Sequence, residues 1–209
     1  MRESHTAAEA RPYHHGDLRR ALVDAARRIL EAEGPTALSL RAVAREAGVS
    51  PAAPYHHFKD KAELLDAVAA EGWTMLDAAL GKARAEAPLK ESMNALGVAY
   101  VCFARENPAL YRVMYDTARD KEELPETMQK GEDSAYCKVR DTLIEVGADP
   151  AATTDLELAT IAAWCAAHGL AEMTGFKQFD ALKQELGGEL PFLRGVFGHM
   201  GLFPGRHDD

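Results

Sequence analysis

Five neighbouring side chains in the stretch AAPYHH have the types and spacing needed to contact a nucleic acid. On a short helix, at about 100° per residue, Ala52 and His56 share the outward face and Ala53 lies beside them. Small alanines let a helix backbone approach base edges, and their methyl groups suit the thymine methyl. Tyr55 and His57 lie on opposite flanks, where they could reach phosphates on either side of a groove. The pattern predicts a helix inserted into double-stranded DNA, and the alternative is a short helix joined by a glycine turn within an ordinary helical bundle.

The residues around this outward face are expected to hold it in place. Pro54 and Phe58 fall together on the opposite side and point to the core. Ser50 is a candidate N-cap, so that Pro51 takes the first helical position, where its missing N–H costs nothing. Lys61 begins the next helix, where its charge and the free N–H groups can both engage phosphate. We therefore predict a short, stiff helix at this point.

The rest of the chain also shows helical periodicity and no strand-like alternation. Ser39 and Gly48 are predicted to cap the helix before the AAPYHH stretch, and the turn at 47–50 makes a helix-turn-helix. Asp60 and Glu63 are spaced as a capping box for a long helix. The predicted helices span about 17–34, 39–48, 51–58, 60–87, 88–106, 108–119, 122–147, 155–175 and 189–203. The predicted fold class is all-α, with a three-helix N-terminal domain and a C-terminal bundle of about six helices.

Charge divides the 209 residues unevenly, although the formal net charge is −9. Residues 1–61 contain 10 Lys and Arg against 8 Asp and Glu, whereas the remainder contains 14 against 25. This asymmetry suggests a basic module joined to an acidic one. We predict a flexible arm at 1–15, a helix-turn-helix DNA-binding domain at 16–61, and a ligand-binding and dimerisation domain at 62–209. The three cysteines are widely spaced, which favours reduced thiols in a cytoplasmic protein. The sequence contains no secretory h-region and no apolar run long enough to span a membrane, so we predict no membrane partner.

The acidic part contains two strongly apolar helices, at about 155–175 and 189–203. Apolar residues on more than one side of a helix predict burial on more than one side. We expect these helices to form a homodimer interface, and the alternative is the core of a single chain.

A small-molecule pocket is predicted on the same helices and their neighbours. Trp164, His168 and Glu172 are spaced i, i+4 and i+8 and share one helix face. Aromatic and thioether side chains on nearby helices could complete the walls: Tyr100, Phe103, Tyr111, Met114 and Tyr115. The alternative is ordinary core, with His168 hydrogen-bonded to Glu172 or to a carbonyl group.

Other chemistries find little support. Cys165 and His168 could form half of a metal site, but no second pair has ligand spacing, so we expect neither metal nor cofactor. The signatures GxSxG, GxxxxGK[ST], GxGxxG and HExxH do not occur. We predict that the protein is not an enzyme. The alternatives are a helical enzyme acting on a small apolar substrate and a protein that coats DNA without reading its sequence.

Residues 17–65 resemble the DNA-binding domain of the TetR family of bacterial regulators through LSLRAVAREAGVS, PYHHF and KAELL. Pro54 stands where the family usually has leucine. The resemblance implies phosphate contacts from Tyr55, His57 and Lys61. Contacts near the bases are implied for Arg41, Ser50, Ala52, Ala53 and His56, and the predicted DNA-contacting set also includes Ser39.

The segments YHHGDLR and WCAAHG further resemble a branch of that family with a Trp…His-Gly signature in its C-terminal domain. The resemblance implies a homodimeric transcriptional regulator that reads a palindromic operator in double-stranded DNA. It favours a repressor released from DNA by a small apolar or aromatic effector.

Overall fold

The computed structural model describes residues 15–119, 121–123 and 126–200, and over these ranges it contains helices and no strand. Nine α-helices are described: α1 (His15–Glu33), α2 (Leu40–Glu46), α3 (Lys61–Glu86), α4 (Ser92–Glu106), α5 (Pro108–Arg119), α6 (Glu126–Glu145), α7 (Thr153–Met173), α8 (Asp180–Glu185) and α9 (Glu189–His199). Three short 3₁₀ helices accompany them, at Ala53–His56, Leu89–Glu91 and Lys177–Phe179. The all-α prediction is confirmed.

The predicted α-helix over 51–58 is wrong in type, because this stretch forms the 3₁₀ helix Ala53–His56 between turns. Ser50 is not its cap either, since Ala52 takes the N-cap position and no side chain caps the helix. Pro51 and Pro54 both lack the N–H that an α-helical ladder requires. The tighter i→i+3 pattern needs fewer such donors and suits a run of four residues.

Helix α8 is the element that the sequence pattern missed. With six residues it spans less than two turns, too few to display a 3.6-residue period. The predicted N-terminal arm lies outside the described residues except for His15, which begins α1. The predicted end of the last helix, 201–203, also lies outside them.

The first compact unit comprises residues 1–64. Within it, α1 buries one face through Leu22, Ala26 and Leu30, in agreement with the predicted period. The Ser39 hydroxyl oxygen caps α2 as predicted by accepting a hydrogen bond from the Ala42 amide at 3.1 Å.

Glycine ends α2 in the expected manner, although one position later than the cap itself. Ala47 is the C-cap, and Gly48 follows it with φ 69°, in the left-handed region that favours glycine. The Val49 amide then donates to the Ala44 carbonyl at 2.9 Å. This closure turns the chain sharply toward the 3₁₀ helix.

The predicted capping box at the start of α3 forms with one difference. Asp60 Oδ1 accepts from the Glu63 amide at 2.9 Å, while Glu63 Oε2 accepts from the Lys59 amide at 2.6 Å rather than from that of Asp60. Two amides at the helix start are thus satisfied by side chains.

The second compact unit comprises residues 65–209, and α4 packs there against α7, α9 and α6. The fully buried side chains of this second unit include Trp73, Leu80, Met114 and Leu143. Helix α7 packs against both α4 and α6, and the burial of a further side by a second copy stays a prediction. Leu158 is 60% exposed and Ile161 44% exposed, because no other described helix covers that side of α7.

Helix α9 behaves differently from α7. Phe192, Leu193 and Phe197 are buried, and α9 packs on α4. The alternative of a single-chain core therefore holds for these three side chains, while Leu190 remains 47% exposed.

Candidate functional site

The outward face of the 3₁₀ segment is presented to solvent as predicted. Ala52, Tyr55 and His56 are exposed, with 54% of Tyr55 accessible, while Ala53 and His57 are half-buried. A large aromatic side chain left in water away from any core is a candidate contact residue.

The opposite side of the same segment is anchored. Phe58 is 1% exposed, Pro54 is buried, and the Arg19 guanidinium lies 5.3 Å from the centroid of the Phe58 ring. The Pro54 carbonyl accepts from the amides of His57 and Phe58, each at 2.9 Å. These bonds fix the backbone that carries Tyr55, so its side chain is held outward by the turn itself.

The remaining predicted DNA-contacting residues lie in the same unit. Arg41 and Ser50 are exposed, and Ser39 is exposed although its oxygen is occupied in capping α2. Lys61 is exposed at the first position of α3, and its Nζ donates to the Pro35 carbonyl at 2.8 Å. Engaging a phosphate would therefore require Lys61 to exchange or share this bond.

In the second unit, four of the predicted pocket residues meet in one hydrogen-bonded cluster formed by Tyr100, Tyr111, Tyr115 and His168. Tyr111 Oη lies 2.6 Å from His168 Nδ1 and 3.2 Å from Tyr100 Oη. Tyr100 Oη also bonds Tyr115 Oη and lies 3.4 Å from His168 Nδ1. We call this set the tyrosine–histidine cluster.

Aromatic rings extend the cluster. The Trp164 ring meets that of Tyr100 edge-on at 5.4 Å and stacks on that of Trp73 at 6.3 Å between centroids. Tyr115 and His168 lie 4.5 Å apart by the same measure. These contact distances are those of aromatic rings packed on one another, so the cluster forms a continuous wall.

Burial keeps the three phenols protonated. It raises the pKa of Tyr111 to about 12, and it also raises the pKa values of Tyr100 and Tyr115 well above the ordinary tyrosine value. Each phenol therefore keeps one hydroxyl proton at neutral pH. When His168 is neutral with its proton on Nε2, Tyr111 can donate to Nδ1.

One side of this wall borders an open groove of about 620 Å³ between α5 and the C-terminal half of α7. Tyr111, Tyr115, His168 and Glu172 all line it. The sequence patterns missed three arginines that share this lining, Arg105, Arg112 and Arg119. Arg112 and Arg119 lie seven residues apart on one face of α5, but a surface arginine carries no local signal of a site.

The other side borders a small, mostly apolar cavity of about 20 Å³, lined among others by Tyr100 and Trp164. Phe103 and Met114 line neither space and are buried in the core. Met114 fills the space beside Gly72, where a Cβ would come within 2.6 Å of its sulfur. His168 bonds tyrosine hydroxyls rather than the Glu172 carboxylate given as its alternative partner.

The cysteines lie apart from this cluster, with Cys165 exposed and Cys102 and Cys137 half-buried. Burial raises the pKa of the Cys102 thiol, which disfavours its thiolate. Over the described ranges no group of three or more His, Cys, Asp or Glu residues is placed to hold a metal ion. None of the helices described is both long and apolar enough to cross a bilayer.

Two family models match the chain. The one described as "Bacterial regulatory proteins, tetR family" matches residues 22–68, and "Tetracyclin repressor-like, C-terminal domain" matches residues 93–189. Together they span more than half of the sequence. The chain belongs to the TetR family of bacterial regulatory proteins.

Similar proteins agree with this assignment. The chain is 37% identical over 110 residues to the HTH-type transcriptional regulator BetI of Rhizobium meliloti (strain 1021), covering 51% of this chain and 54% of that protein. It is 30% identical over 132 residues to the uncharacterized HTH-type transcriptional regulator YobS of Bacillus subtilis (strain 168), covering 63% and 66%. The match thus spans about half to two thirds of each curated relative. A solved structure of a protein with unknown function from Rhodococcus sp. RHA1 is 32% identical with TM-score 0.71, covering 90% of this chain and 95% of that one.

Proposed function

We propose that this protein is a sequence-specific transcriptional regulator that binds a palindromic operator in double-stranded DNA as a homodimer. The observation that carries the proposal is the two-sided 3₁₀ segment. Tyr55 and His56 face solvent, while Pro54 and Phe58 are buried beneath them, in a segment that the tetR family model matches. Residues 16–61 form the proposed DNA-binding domain.

Within this domain the proposed contacts divide by chemistry. Tyr55, His57 and Lys61 hold phosphates, which fixes orientation without reading sequence. The proposed contacts near the bases come from the less bulky or outward-facing positions, together with the cap of α2: Ser39, Arg41, Ser50, Ala52, Ala53 and His56. The alanines at 52 and 53 allow close approach, and His56 supplies the polar group that discriminates bases.

The proposed regulation is repression that a small apolar or aromatic effector relieves. Residues 62–209 form the proposed ligand-binding and dimerisation domain, and the effector occupies the groove beside the tyrosine–histidine cluster. Helix α3 begins at Lys61 in the first unit and continues to Glu86 in the second, so one helix joins the two functions. The proposed branch is the one with a Trp…His-Gly signature, which Trp164, His168 and Gly169 support.

The proposed dimer forms through α7 and α9. Leu158, Ile161 and Cys165 are exposed at i, i+3 and i+7 on α7, which gives an apolar stripe that a second copy can cover. Such a dimer presents two recognition segments to two half-sites. We place the protein in the cytoplasm. The comparisons support neither the DNA-coating nor the enzymatic alternative.

The test is a selection of operator fragments from the genome of the source organism with the purified full chain. The expected product is one motif with two inverted half-sites, spaced about 34–36 Å or a multiple between centres. His56→Ala should change the preferred bases within each half-site. Lys82 is exposed on α3 and belongs neither to the proposed DNA-contacting residues nor to the proposed dimer interface. Lys82→Ala should therefore select the same motif as the wild type. A selection that enriches no motif would refute sequence-specific recognition.

A further inference from the structure

We propose that the groove between α5 and α7 binds an aromatic carboxylate, with its acid group on the arginine side and its ring against Tyr115 and His168. This inference rests on the proposed function, because it names the chemical class of the effector.

Hydrogen-bond donors outnumber acceptors on the groove lining. The donor side chains are Arg105, Arg112, Arg119, Tyr111 and Tyr115, and the carboxylates are Asp116 and Glu172. Three arginines face two carboxylates in the lining, and Arg105 is neutralised by Glu189, which lies outside the lining. A ligand that brings two acceptor oxygens complements the donor excess, and its negative charge is matched by the guanidinium group that it contacts.

Two of the arginines are available to such a ligand. Arg105 is engaged by Glu189 in an ion pair. Within the part of the chain that the structure describes, neither Arg112 nor Arg119 forms an ion pair. They lie seven residues apart on one face of α5, and a guanidinium group binds a carboxylate through two parallel hydrogen bonds.

The tyrosines and His168 supply the surface for a flat ring. Tyr111 and Tyr115 lie 5.7 and 4.5 Å from His168 between ring centroids, so the three rings form one continuous wall. The lining also contains small side chains, with Ala104, Pro108, Ala171 and Gly175. Offset packing of a ligand ring on this wall uses the same aromatic geometry that holds the cluster together.

The phenols favour the anion over a cationic ligand. Because burial raises the pKa of Tyr111 to about 12, its hydroxyl remains protonated, and it can donate to an incoming oxygen by exchanging its bond to His168 Nδ1. The volume of about 620 Å³ falls in the range of small-molecule sites. Asp116 and Glu172 are both exposed, so water screens their repulsion of the acid group.

Three probes with one ring system and different head groups test the class of ligand. Isothermal titration calorimetry of the full chain would use 2-naphthoate, 2-naphthalenemethanol and 2-naphthylmethylammonium. We expect 2-naphthoate to bind once per chain and at least about tenfold more tightly than the other two. Equal or tighter binding of the alcohol or the ammonium probe would overturn the proposal, as would no saturable binding of 2-naphthoate up to about 1 mM.

Two variants test the location. Arg112→Gln should weaken the binding of 2-naphthoate about tenfold and leave that of the alcohol within about twofold. Arg140 lies on α6 outside the groove lining, so Arg140→Gln should change neither. Ala171→Phe should fill the groove and abolish binding of 2-naphthoate, with its melting temperature as the check on folding. An unchanged 2-naphthoate affinity in Arg112→Gln, or in folded Ala171→Phe, would refute this site.

A parallel DNA titration separates this inference from the proposed function. If the chain binds DNA specifically but does not bind 2-naphthoate, the proposed class of effector is wrong and the proposed regulator function is unaffected. Binding of 2-naphthoate by a chain with no preferred DNA sequence supports the site and overturns the regulator.

Discussion

Removing one buried hydroxyl by Tyr100→Phe tests whether the tyrosine–histidine cluster stabilises the helices of the second unit. The Tyr100 side chain is 2% exposed, and its hydroxyl bonds those of Tyr111 and Tyr115. The phenyl ring of the variant retains the packing against Trp164. The loss therefore comes from hydrogen bonding alone, where a buried group left without its partner costs about 1–3 kcal/mol.

The measurement is urea unfolding followed by tryptophan fluorescence and extrapolated to water. Protein concentration must be equal for all variants, because the stability of a dimer depends on it. We expect the free energy of unfolding to fall by about 1–3 kcal/mol. For a chain of this length each kcal/mol lowers the melting temperature by about 2–4 °C.

The matched control is Tyr136→Phe, which also removes a single phenolic hydroxyl. That hydroxyl donates to the exposed carboxylate of Glu157 at 2.7 Å. Water can replace that bond, so we expect a change within about 0.5 kcal/mol. Equal effects of the two substitutions would refute the reasoning, because the buried cluster would then contribute no more than a surface contact.

Three further predictions follow from the same structure. Lys61→Ala should weaken binding to all DNA sites similarly and reduce the slope of log affinity against log salt concentration by about 1. Lys82→Ala is the control, and an unchanged slope in Lys61→Ala would show that Lys61 holds no phosphate. Ser39→Ala removes the cap that the Ala42 amide uses and should cost about 1 kcal/mol in urea unfolding; no loss would mean that water satisfies this amide equally well. Because burial raises the pKa of Tyr111 from 10.0 to about 12, its contribution to the free energy of unfolding should be fully present below pH 10 and be lost between pH 10 and 12. The chain contains other tyrosines, including exposed Tyr55, so the phenolate absorbance of Tyr111 is read as the difference between the wild type and folded Tyr111→Phe. A difference signal already half complete at pH 10 would contradict this burial.

Local sequence signals predicted the first unit well because its elements are stabilised by neighbours in sequence. The Ser39 cap, Gly48 after α2 and the Asp60–Glu63 pair each act within four residues. The 3₁₀ segment escaped prediction because helical spacing alone does not distinguish an α-helix from a 3₁₀ helix over four residues. The predicted inward-facing residues were nevertheless correct, since Pro54 and Phe58 are buried in the 3₁₀ helix as well.

The candidate ligand site was predicted only in part. Spacing on α7 grouped Trp164 with His168, and the tyrosines were candidates by type, but only tertiary packing joins α4, α5 and α7 into one cluster. Phe103 and Met114 were also candidates by residue type, but both are buried in the core. Arginines on a helix surface are ordinarily solvated, so nothing local marked Arg112 before the groove was known.

Sequence-specific DNA binding is tested most directly by fluorescence anisotropy on the selected operator, with random duplex as competitor at physiological salt. The proposed regulator should bind the operator at least about 10³-fold more tightly than random DNA and saturate at an even number of chains per duplex. A preference of about tenfold or less, or saturation at one chain, would contradict a dimeric regulator that reads a palindrome.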